Sequence, residues 1–299
     1  MFRSRAPFRL GMPHTQAGGM SEVALLAHTG EQRWIDIGTA VGVDASALRD
    51  ADGHAVYASF YFVGLDGFPA TGLGAFGPDD RLEVVSTLAR FGPSMLDGEH
   101  ALHRAGSLPE PLPATLPAAP RVRLSNVFVR EGTGVDDLRI TTPANAPIDR
   151  IPASAAEPDS YRQIREARTR GRFVAVPEGA RAIFSEAQSI VLPINPDRDV
   201  NGVGLVYFAN YVAFMDAAER AALTGAGGYA ATALDGRRTL WRRIGFYGNA
   251  QRHDELRVDV EAFALSDPQH LLLHHRVTRR GDGRLIAVSS VEKLLAAAP

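Results

Sequence analysis

The feature that most constrains the fold is a pattern repeated in two nearly equal halves of the chain. In the first half, Gln16-Ala-Gly-Gly-Met-Ser-Glu22 leads into an apolar helical segment that begins at Val23. In the second half, Asn201-Gly-Val-Gly-Leu-Val-Tyr207 leads into a longer apolar segment that extends to about Leu223. Each loop begins with an amide residue, has glycine in its fourth place and precedes a helix. Two such halves predict two similar structural units.

Two further pairs of segments match in the same order. Residues 79–85 (Asp-Asp-Arg-Leu-Glu-Val-Val) resemble 253–259 (His-Asp-Glu-Leu-Arg-Val-Asp), and each is a turn leading into a strand. Residues 125–129 (Ser-Asn-Val-Phe-Val) resemble 289–293 (Ser-Ser-Val-Glu-Lys), and each is a closing strand. Each match is short, but three matches in one order at similar spacing indicate a duplication.

Glycine and proline indicate where the units divide. Residues 131–158 mix glycines and prolines with small polar residues, and we predict that they link a first domain, 1–150, to a second, 159–299. A second proline-rich stretch, 105–120, is predicted to be an extended insertion within the first domain, since proline excludes helix and central strand.

The predicted elements are one helix followed by several strands in each half. Alternation of apolar and polar residues marks the strands. They are 56–63, 82–91 and 121–130 in the first half, and 240–247, 256–265, 270–279 and 285–295 in the second. A long helix with a run of strands is the α+β pattern in which the helix packs on an antiparallel sheet.

Composition excludes several classes of function. The net charge is −2 and no basic run is present, so we expect neither nucleic-acid binding nor attachment to an acidic membrane. Cysteine is absent, which excludes a cysteine nucleophile and cysteine-based metal sites, and the nine histidines suggest no metal site. No segment reaches the roughly 18 apolar residues of a membrane span, and no apolar stretch follows the charged N-terminus. We therefore expect a cytoplasmic protein without a metal.

The second half resembles a known family. Asp197-Arg-Asp-Val-Asn-Gly-Val-Gly-Leu-Val-Tyr-Phe-Ala-Asn-Tyr-Val-Ala-Phe-Met-Asp216 is similar to the signature of hot-dog-fold acyl-thioester enzymes of the 4-hydroxybenzoyl-CoA thioesterase type. The likeness covers about residues 185–295. The whole chain, including Gly11–Glu22, resembles a narrower group of double hot-dog proteins that includes the bifunctional acyltransferase/decarboxylase of leinamycin biosynthesis. This resemblance implies two hot-dog units whose sheets join side by side.

The same resemblance implies a function. In that group a malonyl-type CoA, commonly methylmalonyl-CoA, is decarboxylated and its acyl group passes to an acyl carrier protein, without a metal or organic cofactor. The group also has a tyrosine of the first half in its active site, for which Tyr57 and Tyr61 are both candidates. Two alternatives stay open: a thioesterase or dehydratase on the same fold, and a non-catalytic protein that binds acyl thioesters. The chain could be a monomer or a homodimer.

The glycine loops are candidates for binding the thioester carbonyl. Small residues such as Gly18, Gly19 and Gly204 let backbone N–H groups at the start of a helix approach an oxygen that becomes anionic. The alternative is that these glycines only form tight turns. Related thioesterases usually carry a carboxylate where Asn201 stands, but neither Asn201 nor its counterpart Gln16 can take a proton from water. Both amides could instead cap their helices.

The remaining candidates lie on two strands and near one loop. Tyr57, Ser59 and Tyr61 alternate, so they are expected to face one way, either as core residues or as hydrogen-bond donors to an enolate. His14 precedes the first glycine loop and is a candidate acid or base. In the second half, Tyr207 follows the loop, and Arg242 is expected to bind phosphates of CoA or of the carrier. We therefore expect the chemistry to belong to the first half.

Overall fold

The first helix illustrates how the sequence sets its own boundaries. The computed structural model describes residues 2–132 and 137–296. Helix α1 (Glu22–Val41) begins behind Ser21, whose side chain accepts the N–H of Ala24, and it ends before Gly42, which has a positive φ of 76°. The sequence pattern predicted a helix that begins at Val23, and the helix begins one residue earlier.

The other elements follow in chain order. The first half contains, besides α1, the strands β1 (Phe2–Arg9), β2 (Thr15–Gln16), β3 (Gly19–Met20), β4 (Tyr57–Asp66), β5 (Arg81–Phe91), β6 (Met95–Arg104), β7 (Arg121–Glu131) and β8 (Leu138–Ile140). The second half contains α2 (Asp159–Arg170), β9 (Arg181–Ala182), β10 (Gln188–Pro193), α3 (Pro196–Asp199), α4 (Asn210–Gly225), α5 (Ala231–Asp235), β11 (Arg238–Phe246), β12 (Glu255–Ala264), β13 (His270–Arg279) and β14 (Leu285–Leu294).

Both halves share one antiparallel sheet. Its strand order is β1-β5-β6-β7-β4-β11-β14-β13-β12-β10, with β8 beside β7 and β9 beside β12. This order reads the same from both ends when β4 is exchanged with β11, β7 with β14, β6 with β13, β5 with β12 and β1 with β10. The matched segments of the sequence fall on β5 and β12 and on β7 and β14. The double hot-dog fold is therefore confirmed, with its two sheets joined through β4 and β11.

The two long helices cover one face of this sheet. A continuous hydrophobic core includes Leu26 of α1, Val63 of β4, Met215 of α4, Ile244 of β11 and Leu273 of β13. Because residues from both halves enter this core, the two units pack as one body. No helix within 2–132 and 137–296 has the length and apolarity to cross a membrane.

Several segments differ from the expectation. Strands β1, β6 and β10 and helix α2 are present in addition to the predicted elements. The proline-rich segment 105–120 connects β6 to β7 without a helix or strand of its own. Within 131–158, β8 pairs with β7, and Ile148 and Ile151 are buried in the core of the first unit. The division into domains at 150 and 159 stays a prediction.

Candidate active site

A cavity of about 350 Å³ opens where the two units meet. It exists because β4 pairs with β11 only over Phe62–Leu65, so the first residues of β4 have no strand partner on that side. Helix α1, the loop before α4 and the end of β11 form the other walls. The lining residues are Trp34, Ser46, Tyr57, Ala58, Ser59, Phe60, Val129, Leu138, Asn201, Gly202, Val203, Leu205, Val206, Tyr207, Phe208, Tyr211, Phe246 and Asn249.

Asn201 fixes the loop that leads into α4. Its side-chain oxygen Oδ1 accepts the N–H groups of Val203 and Leu205, each at 3.2 Å. Gly204 has a φ of 82°, which suits glycine, and its N–H donates to the Asn201 carbonyl at 3.0 Å. Because Oδ1 is held by the loop, the amide orientation is set. The Nδ2 group of Asn201 has no hydrogen bond to any residue of the described ranges, so it is a free donor.

The start of α4 supplies further donors. The N–H of Asn210 bonds to the carbonyl of Tyr207 at 2.9 Å, whereas the N–H groups of Phe208 and Ala209 bond to no described residue. They lie at the positive end of a helix of 16 residues. Unpaired N–H groups at such a helix start suit an oxygen that becomes anionic.

Two tyrosines complete the polar lining. Burial, with a smaller contribution from the Glu31 carboxylate, raises the pKa of Tyr207 to about 12. Its phenol therefore keeps its proton at neutral pH and acts as a donor, not as a base. Tyr57 lines the cavity from β4, beside Ser59. Behind them, the hydroxyl of the fully buried Tyr211 accepts the N–H of Ala250 at 3.2 Å.

The chemical character of this lining is uniform. Its side chains are aliphatic, aromatic, hydroxyl or amide groups, and none of the lining residues in 2–132 and 137–296 is charged or is a histidine. Such a wall can donate hydrogen bonds and exclude water. It offers no group that would take a proton from water near neutral pH.

The structure places the first glycine loop elsewhere. A Cβ atom on Gly18 would lie 2.8 Å from the carbonyl oxygen of Arg237, and one on Gly19, whose φ is 117°, would lie 2.6 Å from that of Leu73. These glycines therefore allow close packing of backbone on backbone. Gln16 is exposed on β2, and His14 accepts the N–H of Gly11 through Nδ1 at 2.9 Å. None of the four residues lines the cavity.

Tyr61 also lies apart from the cavity. A β-bulge interrupts the pairing of β4 with β7 between Phe60 and Phe62, which places Tyr61 at the irregular position. Its ring stacks on Tyr161 of α2 with centroids 5.1 Å apart, and its buried hydroxyl has no partner in the described part of the chain. Of the two candidate tyrosines, only Tyr57 lines the cavity.

Arg242 does not have the exposure that a phosphate-binding role requires. Its side chain is fully buried, with Nε 2.5 Å from Glu22 and Nη2 2.9 Å from Asp216. Burial alone would lower the pKa of Arg242, but these carboxylates and Glu219 outweigh that effect and raise it. The expectation that Arg242 meets CoA phosphates is corrected, because the guanidinium is already paired inside the protein.

The ion pairs of Arg242 belong to a larger buried network. Lys293 lies 2.6 Å from both Asp216 and Glu219, and His275 lies 3.1 Å from Glu219. Burial by itself would raise the pKa of Glu219, but Lys293, followed by His275, holds it well below its usual range.

This network lies beside the pseudosymmetric counterpart of the cavity, because Arg242 pairs with Leu65 at the edge of the β4–β11 ladder. Exchanging the two units replaces the start of β4 by the start of β11, and the loop before α4 by the loop before α1. The network joins Arg242 of β11 to Glu22 at the start of α1 and to Asp216 and Glu219 of α4. In that counterpart, the turn Gly72–Ala75 and the first glycine loop pack against residues 237–239. One of the two equivalent places is therefore open and the other is filled.

The family follows from the sequence of the first unit. The family model described as the LnmK N-terminal Hot Dog Fold domain matches residues 12–175, more than half of the chain. The chain belongs to this family. The membership supports processing of acyl thioesters, and the matched range includes Tyr57, α1 and α2.

Solved structures with the same fold cover the whole length of this family member. A protein assigned as an oleoyl thioesterase from Lactobacillus plantarum has a TM-score of 0.69 at 10% identity, over 100% of this chain and 97% of its own. An acyl-ACP thioesterase from Bacteroides thetaiotaomicron has a TM-score of 0.61 at 10% identity, over 98% of each chain. The 12:0-ACP thioesterase from Umbellularia californica has 0.60 at 13% identity, over 98% and 94%. No curated protein matches the sequence.

One cluster in the described ranges has the composition of a metal site. Asp50, Asp52 and His54 present ligand atoms within 4.8 Å of one another. Arg130 lies among them, with Nε 3.3 Å from Asp50 and Nη1 3.0 Å from the His54 ring. The guanidinium thus supplies the positive charge that balances this cluster.

Several cavity residues were not predicted. Trp34 is 12 residues into α1, and Ser46, Leu138, Phe246 and Asn249 lie in different elements. Their sequence neighbourhoods show no shared motif. The one available signal was Trp34, a large aromatic residue on a helix otherwise predicted to pack on the sheet.

Proposed function

We propose that this protein decarboxylates a malonyl-type CoA thioester and transfers the resulting acyl group to an acyl carrier protein. The observation that carries the proposal is the lining of the cavity, where neutral hydrogen-bond donors stand in apolar walls and no charged side chain of the described residues takes part. Membership of the LnmK N-terminal Hot Dog Fold domain family supports the same class of substrate.

The first step uses exclusion of water. A substrate carboxylate placed among Phe60, Val206 and Phe246 would lose its hydration, and this favours the transition state in which its charge spreads toward the thioester. The bond between the carboxylate carbon and the α-carbon breaks, and its electron pair forms the enolate as CO₂ leaves. The protein has no need of a base for this step.

The enolate oxygen is the group that the donors would stabilise. The N–H group of Phe208 and the Nδ2 of Asn201 belong to lining residues and are unpaired among the described residues, and the unpaired N–H of Ala209 follows at the start of α4. One donor of this kind is typically worth about 10²–10³ in rate. The α-carbon then takes a proton, for which we assign the Tyr57 hydroxyl, and solvent restores that proton.

Transfer would use the same oxygen site. The carrier's thiol loses its proton to solvent, and the thiolate adds to the thioester carbonyl, whose oxygen again becomes anionic. CoA then leaves as its thiolate, which solvent protonates. Hydrolysis, in contrast, requires a base that activates water, and the described lining lacks one. The thioesterases with solved structures are 10–13% identical to this chain, and this likeness shows the fold and not the reaction.

Intact mass spectrometry of a carrier protein tests this function. The protein is incubated with the carrier and, in turn, with malonyl-, methylmalonyl-, acetyl- and propionyl-CoA. We expect the carrier to gain the decarboxylated acyl group from the first two substrates. Free acid released from simple acyl-CoA without carrier, at a typical enzyme rate of about 10 per second, would identify a thioesterase. Binding of all four substrates without any product would identify a non-catalytic binding protein.

A further inference from the structure

A second cleft, which we call the outer cleft, lies on the opposite face of the sheet. It has a volume of about 300 Å³ and lies between the segment after α2 and the strands β10, β12 and β13. Along β12, Val258 and Val260 are buried in the core beneath α4, so the alternating Arg257 and Asp259 face the outer cleft. This cleft therefore does not belong to the candidate active site.

One buried histidine supplies a donor to the outer cleft. His274 is 2% exposed and lines the cleft, and its Nδ1 lies 2.8 Å from the hydroxyl of Ser290. That hydroxyl accepts the N–H of Phe173 at 2.9 Å, so its own proton is free to bond to Nδ1. When the Ser290 hydroxyl donates to Nδ1, the ring proton sits on Nε2. Nε2 is buried and has no hydrogen bond to any residue that the structure describes.

His274 acts as a neutral donor. Burial, followed by the charges of Arg172 and His275, lowers the pKa of His274 to about 4. At neutral pH the ring is uncharged, and any positive charge in the cleft must come from arginines.

The balance of charge in the outer cleft is positive. Arg172 and Arg276 line it and form no ion pair with a residue of the described ranges, whereas Arg257 is paired with Asp259 at 2.9 Å. Arg170 is paired with Glu166, outside the cleft, at 3.1 Å. Glu261 lies opposite His274 in the pairing of β12 with β13 and also lines the cleft. Its carboxylate forms no ion pair with a residue of the described ranges. Two free guanidinium groups thus face one free carboxylate.

We propose that the outer cleft binds a phosphate group, held by Arg172, Arg276 and the Nε2–H of His274. A guanidinium presents a planar pair of donors that matches two phosphate oxygens, and a third oxygen can accept the neutral donor. A cation is disfavoured because two of the three unpaired charged groups are guanidinium groups and His274 adds a neutral donor. The proposal is independent of the proposed function, since the cleft and the cavity lie on different faces of the sheet.

Nuclear magnetic resonance with inorganic phosphate tests the site. A long-range ¹H–¹⁵N spectrum should show His274 protonated at Nε2, and its resonances should shift as phosphate is added at constant ionic strength. Arg172→Ala should weaken phosphate binding by about tenfold or more, as loss of a charge-assisted hydrogen bond does. Arg168→Ala is the matched control, because its guanidinium lies over the Tyr247 ring at 5.7 Å and not in the outer cleft. The control should bind phosphate as the wild type does.

Other outcomes either identify the source of the phosphate or contradict the site. Displacement of phosphate by coenzyme A but not by pantetheine would support a site for the phosphates of the CoA substrate. Binding of inorganic phosphate without competition by coenzyme A would support a site for small phosphates. The proposal is wrong if phosphate leaves the His274 resonances unchanged, or if Arg172→Ala and Arg276→Ala both bind it as tightly as Arg168→Ala does.

Discussion

Asn201 supports its loop through the oxygen of its amide group, and the nitrogen of that group is unpaired among the described residues. The oxygen accepts two backbone N–H groups, and this fixes the orientation of the side-chain nitrogen. Sequence alone left open whether this amide caps the loop or binds substrate. The structure shows the first role directly, and the second depends on the proposed function.

Replacing Asn201 by aspartate tests the absence of a base. An aspartate can accept the same two N–H groups, so Asn201→Asp should preserve the loop while it places a carboxylate beside the thioester. We expect release of free acid from acyl-CoA to rise and transfer to the carrier to fall, measured together by product analysis. Asn249→Asp, which adds the same charge at another wall, is the control. If neither rate changes in Asn201→Asp, the amide does not face the reacting group.

The pH profile of the reaction offers a second test at the level of single groups. Burial raises the pKa of Tyr207 to about 12, so its donor form is present at all lower pH values and is lost only as the pH approaches 12. We therefore expect kcat/KM for decarboxylation to be flat between about pH 6 and 9. A rising limb with a midpoint in this range would show that a base takes part, and this would contradict the proposed chemistry.

At the level of elements, the buried network holds α1, α4 and β11 together. Glu22 stands at the start of α1, Asp216 and Glu219 are on α4, and Arg242 of β11 lies between them. These ion pairs connect the first unit to the second. A buried pair of this kind contributes little beyond an apolar pair, but removing one partner leaves an uncompensated charge.

Arg242→Ala should consequently destabilise the fold. The carboxylates of Glu22 and Glu219 would remain buried with less positive charge, and such a loss costs about 3–5 kcal/mol. Urea denaturation of the variant and of Arg243→Ala, whose guanidinium is partly exposed beside Asp66, would measure the difference. A variant as stable as the wild type but with a raised KM would restore the phosphate-binding interpretation of Arg242.

Physical reasons explain why the sequence did not reveal some of the elements. β1 and β10 are the two ends of the sheet, where Pro7 and Pro193 are tolerated and little apolar alternation is required. β6 was missed because Gly98 interrupts its strand pattern. A Cβ atom added at Gly98 would lie 2.0 Å from the Thr87 carbonyl oxygen, so glycine is needed there. Helix α2 had a readable signal, because its buried Tyr161, Ile164 and Ala167 recur every three residues. A strand with regular alternation, such as β12, was located to within one residue.

At the level of the whole molecule, the two similar units contain two equivalent places of unequal character. The two glycine loops look alike in sequence, yet only the second opens on a cavity. A turn at Gly72–Ala75 packs so closely on β11 that a Cβ on Gly72 would lie 2.2 Å from the Thr239 carbonyl oxygen. This contact is non-local, and Tyr57 and Asn201, which line the same cavity, are also far apart in the sequence. For this reason the sequence predicted the fold well but predicted the site only in part.

Because one of the two equivalent places is open and the other is filled, we expect one acyl site per chain. A thioether analogue of propionyl-pantetheine carries no phosphate, so it would occupy the cavity without engaging the outer cleft. Native mass spectrometry should find one analogue bound per chain. Two equivalents bound with similar affinity would show that the second place also opens to ligand and is not filled.

The most direct test of the site's location is the decarboxylation rate of methylmalonyl-CoA with two single variants. Tyr57 lines the cavity between the units, whereas Tyr61 stacks on Tyr161 outside it and has a buried hydroxyl without a partner among the described residues. Tyr57→Phe should lower the rate by at least about 10², as loss of a transition-state donor does. Tyr61→Phe should leave the rate near that of the wild type, because it removes no cavity donor. The opposite result, a slow Tyr61→Phe and an active Tyr57→Phe, would place the chemistry under α2 and contradict this account.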